Sequence, residues 1–122
     1  MKAAHRSNDA IARLRDDLRL FAAERDWDQF HSPKNLAAAL TVEAAELLEH
    51  FQWLTEDSSK TLSRKRLIAV GEELADILIY LVRIADKLDV DLLAVTRRKL
   101  RLNARKYPPQ KARGNSRKYT EL

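Results

Sequence analysis

The sequence predicts an all-α protein: a four-helix bundle subunit whose core is completed by oligomerisation. Three observations carry this. The chain has only two glycines and three prolines in 122 residues and leans on Ala, Leu, Glu, Lys and Arg, the residues that favour helix. Apolar residues recur three and four apart, which places them on one helical face. One segment, L-A-D-I-L-I-Y-L-V-R-I-A from Leu74 to Ala85, is apolar nearly all the way round. A surface helix shows a single stripe, so this one must touch neighbours on several sides, and in a chain this short some of them belong to another subunit.

The first helix is expected from Asp9 to about Asp26, with Ile11, Leu14, Leu18, Phe21 and Ala22 forming its stripe and Asn8 or Asp9 capping it. The segment D-W-D-Q-F-H-S-P then breaks the pattern. Ser32 followed by Pro33 is a helix start, a hydroxyl cap before a proline at the position where its missing N–H is not needed. The second helix is expected from Pro33 to about Trp53, followed by T-E-D-S-S-K as a polar loop. A third begins near Ser63 or Arg64 and continues to about Leu88. Asp91 opens a fourth, which Tyr107-Pro108-Pro109 ends because proline lacks a donor and disfavours helix in the residue before it. One domain is thus expected over residues 1–109, with 110–122 a basic, mobile or extended tail.

Composition excludes much. The absence of cysteine removes disulfides, thiolate metal sites and cysteine nucleophiles. Glycines stand only at 71 and 114, so the Gly-rich loops of P-loop and dinucleotide-binding folds are missing, and there is no H-E-x-x-H. The N-terminus lacks an apolar signal segment and no run reaches transmembrane length, so a cytoplasmic protein with no membrane partner is expected. The net charge of +5 is uneven: between Arg97 and Lys118 lie ten Lys or Arg residues and no acid. Such an end suits phosphate, in nucleic acid or in a nucleotide, and equally suits a solvated tail.

Two pairs of carboxylates raise the main functional question. Glu43 and Glu46 stand three apart on the second helix, as do Glu73 and Asp76 on the third, so each pair shares a face. Either pair alone is more often solvated surface than a site. Asp76 is the odder member, because it sits inside the apolar run, where an unpaired buried carboxylate would cost several kcal/mol. If the two helices pack antiparallel, all four can converge. An all-carboxylate site favours a hard cation such as Mg²⁺ or Mn²⁺, whereas a di-iron bundle would need Glu-x-x-His motifs. Continuing along the same faces brings His50 and Trp53 on one helix, and Tyr80 and Arg83 on the other. Trp27 and His31 precede the second helix and could close over the region. Rings that stack on a base, acids that hold a metal and cations that meet phosphates together suggest a nucleotide.

The pairing of E-A-A-E with E-L-A-D resembles the E-x-x-E…E-x-x-D signature of the all-α nucleoside triphosphate pyrophosphatases, the MazG-like superfamily. E-R-D-W-D-Q-F-H-S-P-K-N-L, E-L-L-E-H-F-Q-W, E-E-L-A-D-I-L-I-Y-L, K-x-x-x-N-x-x-K-Y-P and the final K-Y-T-E-L look like its dCTP pyrophosphatase branch, from Phe21 onward. The acid signature alone is moderately specific; the combination is specific. The resemblance implies a four-helix MazG-like subunit and Mg²⁺-dependent hydrolysis of dCTP, and of modified dCTP, to the monophosphate and pyrophosphate, with Mn²⁺ as a substitute metal. It implies a homotetramer, a dimer of dimers. Carried residue by residue, it implies metal ligation by Glu43, Glu46, Glu73 and Asp76, with Glu46 nearest the attacking water. Trp27, His31 and Trp53 match base-pocket positions, and Tyr80, Lys99, Asn103 and Lys106 match sugar and phosphate contacts. Ala45 departs from relatives that often carry glycine there.

Within the enzyme class the runner-up is a broader dNTP or dUTP pyrophosphatase. A helical nucleic-acid-binding module using the basic end is the alternative from another class, and it is disfavoured because such a binder gains nothing from Asp76 beside Glu73 in a core helix. A purely structural bundle with solvated acid pairs is the third.

Overall fold

The computed structural model describes residues 9–122, so Asn8, one of the two expected caps, lies outside the described residues. Every described element is helical: α1 (Ala10–Glu24), a 3₁₀ turn at Asp28–Phe30, α2 (Pro33–Glu49), α3 (Glu56–Ser59), α4 (Arg64–Lys87), α5 (Leu92–Lys106), α6 (Pro109–Ala112) and a second 3₁₀ turn at Tyr119–Glu121. The chain divides into two compact units, 1–90 and 91–122.

Local chemistry fixes the helix starts. Asp9 accepts from the Ile11 amide, Ser32 from Asn35, Ser63 from Arg66 and Asp91 from Ala94, each satisfying a donor that the first turn leaves free. The segment expected to be a polar loop contains a helical turn, α3, because Thr55 and Ser58 cap each other reciprocally. α2 ends at Glu49 rather than near Trp53; the chain passes through turns from His50 to Leu54. Two helices stop in the same way. The Trp27 amide reaches the Ala22 carbonyl and the Asp26 amide that of Ala23, while Val90 and Asp89 repeat the pattern on Ala85 and Asp86. Both closures place an aspartate in the left-handed region, Asp26 at φ 54° and Asp89 at φ 53°.

In the first unit α4 is the central element, with α2 packed along it and α1 beside it. The α2–α4 pair is antiparallel: His31, just before α2, meets Arg83 late in α4, whereas His50, just after α2, lies against Glu73. The buried apolar core is small, comprising Ala22, Leu36, Val70, Val82 and Ala85. Leu67, Ile68, Leu74, Leu78 and Leu81 of α4 remain exposed, as do Val42 and Leu48 of α2. In the second unit the residues after α5 make a helical turn at Pro109–Ala112, and Tyr119 returns to set its ring edge-on to Tyr107 at 6.0 Å. Lys106 Nζ sits 4.8 Å from the centre of the Tyr119 ring.

Candidate active site

The antiparallel α2–α4 contact brings carboxylates together. Glu43, Glu73 and Asp76 each offer an oxygen within 4.8 Å of the others. Glu46, one turn along α2, is not in that group of three, but it lies close enough to disfavour a charge on Glu43. The expected burial is reversed. Asp76 is exposed, since the apolar residues flanking it on α4 are themselves uncovered in this chain, while Glu43 and Glu73 are partly buried. Glu43 Oε2 and Glu73 Oε2 are shielded from solvent and have no hydrogen-bond partner. Burial, the nearby side chains of Glu73 and Glu46, and the charges of Glu46 and Asp76 push the Glu43 carboxyl up to about 7. Clustered acids with orphaned oxygens and no lysine or arginine among them make an arrangement that a divalent cation fits and an apoprotein tolerates poorly.

The surroundings follow the two helices. His50 Nε2 stands 3.9 Å from Glu73 Oε1. Tyr80, one turn beyond Asp76, has its phenol pKa raised by burial and then by Glu43, Asp76 and Glu46, which sets it beside the acids. A further turn along α4, Arg83 is 3% exposed and is surrounded by Asp28, His31 and Asp86. His31 therefore belongs to an arginine-centred network at the end of α4, with the Trp27 ring 6.5 Å from its own. Trp27 also meets Phe21 edge-on at 5.7 Å. Trp53, in the turns after α2, is 88% exposed. Lys99 and Asn103, with Val95, Thr96 and Leu100, line a concavity on α5 in the second unit, and Lys106 lies on Tyr119.

Sequence reasoning did not find Asp28, Asp86 or Lys87, although Arg83 was visible on the Asp76 stripe. Asp86 and Lys87 stand three and four residues after Arg83, the spacing at which helical side chains meet, and that was the available signal.

Residues 38–122 match the model of the MazG-like family. The chain belongs to the MazG-like family. Among relatives, it is 51% identical over 104 residues to human dCTP pyrophosphatase 1 and 47% identical over 104 residues to the mouse protein. Each alignment covers 84% of this chain and 61% of the relative, so the chain spans less than two thirds of those proteins. The crystal structure of a pyrophosphatase from Archaeoglobus fulgidus superposes with a TM-score of 0.78 at 39% identity, covering 87% of this chain and 99% of that one. The all-α MazG-like fold is thus shared with a solved pyrophosphatase along nearly that protein's entire length. Both E-x-x-E and E-x-x-D segments lie inside the family match.

Proposed function

We propose that this MazG-like protein hydrolyses dCTP, and modified dCTP, to the monophosphate and pyrophosphate in a cation-dependent reaction. The observation that carries this is the gathering of Glu43, Glu73 and Asp76, with two oxygens left unpartnered. The names of the relatives supply the substrate. In this reading Glu43, Glu46, Glu73 and Asp76 hold Mg²⁺, for which Mn²⁺ substitutes. A cation held there would supply Lewis-acid chemistry, offsetting triphosphate charge. Glu46 orients and deprotonates the attacking water, and its place next to Glu43 but outside the tight trio supports that role. Lys99, Asn103 and Lys106 bind phosphate and sugar, Tyr80 borders the sugar, and Trp27, His31 and Trp53 receive the base.

The exposed leucines of α4 support a homotetramer built as a dimer of dimers, since an uncovered apolar face of this size on a small domain normally marks an interface. We take residues 1–109 as one catalytic domain and 110–122 as a basic appendage; the compact units divide elsewhere, after Val90, which groups α5 with the C-terminal residues. Among the described residues no helix is long and apolar enough to cross a membrane, and we place the enzyme in the cytoplasm, acting on the nucleotide pool rather than on nucleic acid.

The deciding experiment measures pyrophosphate and monophosphate from a panel of ribo- and deoxynucleoside triphosphates, with Mg²⁺ and with EDTA. Mg²⁺-dependent pyrophosphate from dCTP well above the rest is expected, from a particle whose light-scattering mass is a multiple of the 14.1 kDa chain. Preferential release from other bases would keep the chemistry and change the substrate. No release from any nucleotide would end the enzyme reading.

A further inference from the structure

Two turns beyond the acid cluster, α4 presents a buried arginine whose partners are all acceptors. Arg83 NH2 donates to Asp28 Oδ1 at 3.1 Å, NH1 lies 3.6 Å from Asp86 Oδ2, and Nε donates to His31 Nδ1 at 3.3 Å, with NH2 at 3.2 Å from the same nitrogen. A guanidinium has five donors and no acceptor. The ring nitrogen facing it must therefore accept, so Nδ1 of His31 carries no proton and the proton of the neutral ring sits on Nε2. Protonating the ring would aim a second donor at the guanidinium. The charged groups around the ring, Arg83, Lys87 and Asp28, act in the same sense on balance: burial first, then Arg83 and Lys87, hold the His31 pKa below the usual imidazole value against the opposing pull of Asp28. Among the described residues Nε2 has no acceptor, so its N–H is left for a ligand.

The position of this donor relative to the acids is also fixed by α4. Asp76 and Arg83 are seven residues apart, about 10 Å along the helix, with Tyr80 between them. That is the order of distance separating the phosphates of a nucleoside triphosphate from its base.

We propose that Arg83 is a positioning residue that locks His31 as an Nε2–H donor, and so tunes the pocket to a pyrimidine whose N3 is an acceptor. Cytosine N3 is one, flanked by the O2 acceptor on one side and the 4-amino donor on the other. Uracil and thymine carry an N–H at N3, which would meet the locked donor head-on where it faces that atom. The base-selection half of this inference rests on the nucleotide-hydrolase reading; the lock itself does not.

The test uses the full chain labelled with ¹⁵N-histidine, whose three histidines are few enough to resolve, the His31 signals being those lost in His31→Gln. Long-range ¹H–¹⁵N spectra at neutral pH are expected to show His31 with Nδ1 unprotonated and Nε2 protonated. An Nδ1–H tautomer in the unaltered protein would overturn the lock, whatever the nucleotide assays give. In Arg83→Met the ring is expected to populate both tautomers and to titrate closer to its ordinary value. The ratio of kcat/KM for dCTP over dUTP is expected to fall about tenfold, the worth of one hydrogen bond, chiefly through KM. An unchanged ratio in folded Arg83→Met would remove base selection from Arg83 and leave it a structural ion-pair centre. If that variant does not fold, Arg83→Lys, which keeps one charge but loses the fork, carries the same comparison and is expected to show a smaller fall. Absence of hydrolysis from either nucleotide would sink the nucleotide reading, while the tautomer still decides the lock.

Discussion

The two ends of one face of α4 solve the problem of charge in opposite ways. Around Asp76, three carboxylates from two helices approach one another with no lysine or arginine among them, and two of their oxygens have no partner. Around Arg83, a guanidinium is met by Asp28, Asp86 and His31; Arg19 further serves Asp86 at 2.7 Å, and Lys87 serves Asp28. In the second, each carboxylate has a cationic partner within the chain. In the first, His50 at 3.9 Å from Glu73 is, among the described residues, the one group seen beside the acids that could carry positive charge, and Glu43 and Glu73 each keep an unpartnered oxygen. Like charge gathered at partly buried positions is costly unless a ligand offsets it, and that contrast is what supports the proposal of chemistry at the acid end and positioning at the arginine end.

The sharpest way to break this comparison is to neutralise one group at each end. On the proposed reading, Glu43→Gln should lower turnover of dCTP about a hundredfold or more, because it would remove a metal-ligating carboxylate. It should at the same time raise the melting temperature of the metal-free protein, since it removes the most strongly disfavoured charge in the cluster. Arg83→Met should do the reverse to stability, lowering it by roughly 2–3 kcal/mol, toward the low end for a buried pair because Arg19 still serves Asp86. Chemical denaturation with EDTA present, alongside the hydrolysis assay, measures both. Two losses of equal sign would mean that the acids are as structurally satisfied as the arginine network.

Next in size is the pH dependence. Glu43 is raised in the folded protein, from 4.5 to about 7, so between those values the folded state holds the extra proton. Metal-free stability from this group is full below about 4.5 and declines as pH rises toward 7. The arginine network has the opposite slope. His31 is depressed, so its contribution is present above the ordinary histidine pKa of about 6.5 and is lost as pH falls. Asp86 is depressed too: burial opposes its charge, but the Arg19 hydrogen bond and the charges of Arg19, Arg83 and Arg15 prevail, so its loss comes only below the usual carboxylate range. Melting curves of the parent and of Glu43→Gln at about pH 5 and about pH 7.5 isolate the acid-cluster slope by difference. Adding Mg²⁺ should stabilise the parent more at the higher pH, because the cation binds the ionised form. A Mg²⁺ effect that is absent, or equal in Glu43→Gln, would remove the cation from this site.

These contrasts explain what was legible in the sequence. Helix starts at Ser32, Ser63 and Asp91 were readable because a cap acts over three residues. The acid pairs were readable because an i,i+3 spacing states a shared face. The turn at Glu56–Ser59 was not, since four residues carry no periodicity and its cap uses Ser58 where the usual pattern has Glu or Gln. Asp76 was expected to be buried because its neighbours are apolar, but apolarity does not say that the same chain covers them, and Leu74 and Leu78 remain exposed. The arginine network was hidden for a different reason. Asp86 stands only three residues after Arg83, but His31 and Asp28 lie 52 and 55 residues away along the chain, and a lone histidine or aspartate in a short loop carries no mark of what it will meet.

The smallest effect tests where the arginine network stops. Asp26 and Asp89 close α1 and α4 with the same left-handed geometry, a conformation that glycine adopts without the Cβ penalty. Taken alone, Asp89→Gly should stabilise the fold by about 0.5 kcal/mol, the relief of that penalty less the entropy glycine adds to the unfolded chain. Asp26→Gly should gain less, because the Asp26 side chain also accepts a hydrogen bond from Gln29 at 3.0 Å. Asp89 does help to raise the pKa of Arg19, though behind Asp86 and Asp16, so its charge is at most a peripheral member of the network. If Asp89→Gly instead destabilises by about 1 kcal/mol, as loss of a charge-assisted contact would, the network extends through Arg19 to the end of α4. A gain at Asp89 larger than at Asp26 would end the network at Arg19, with Asp89 outside it and Arg83 left as the one arginine facing the His31 ring.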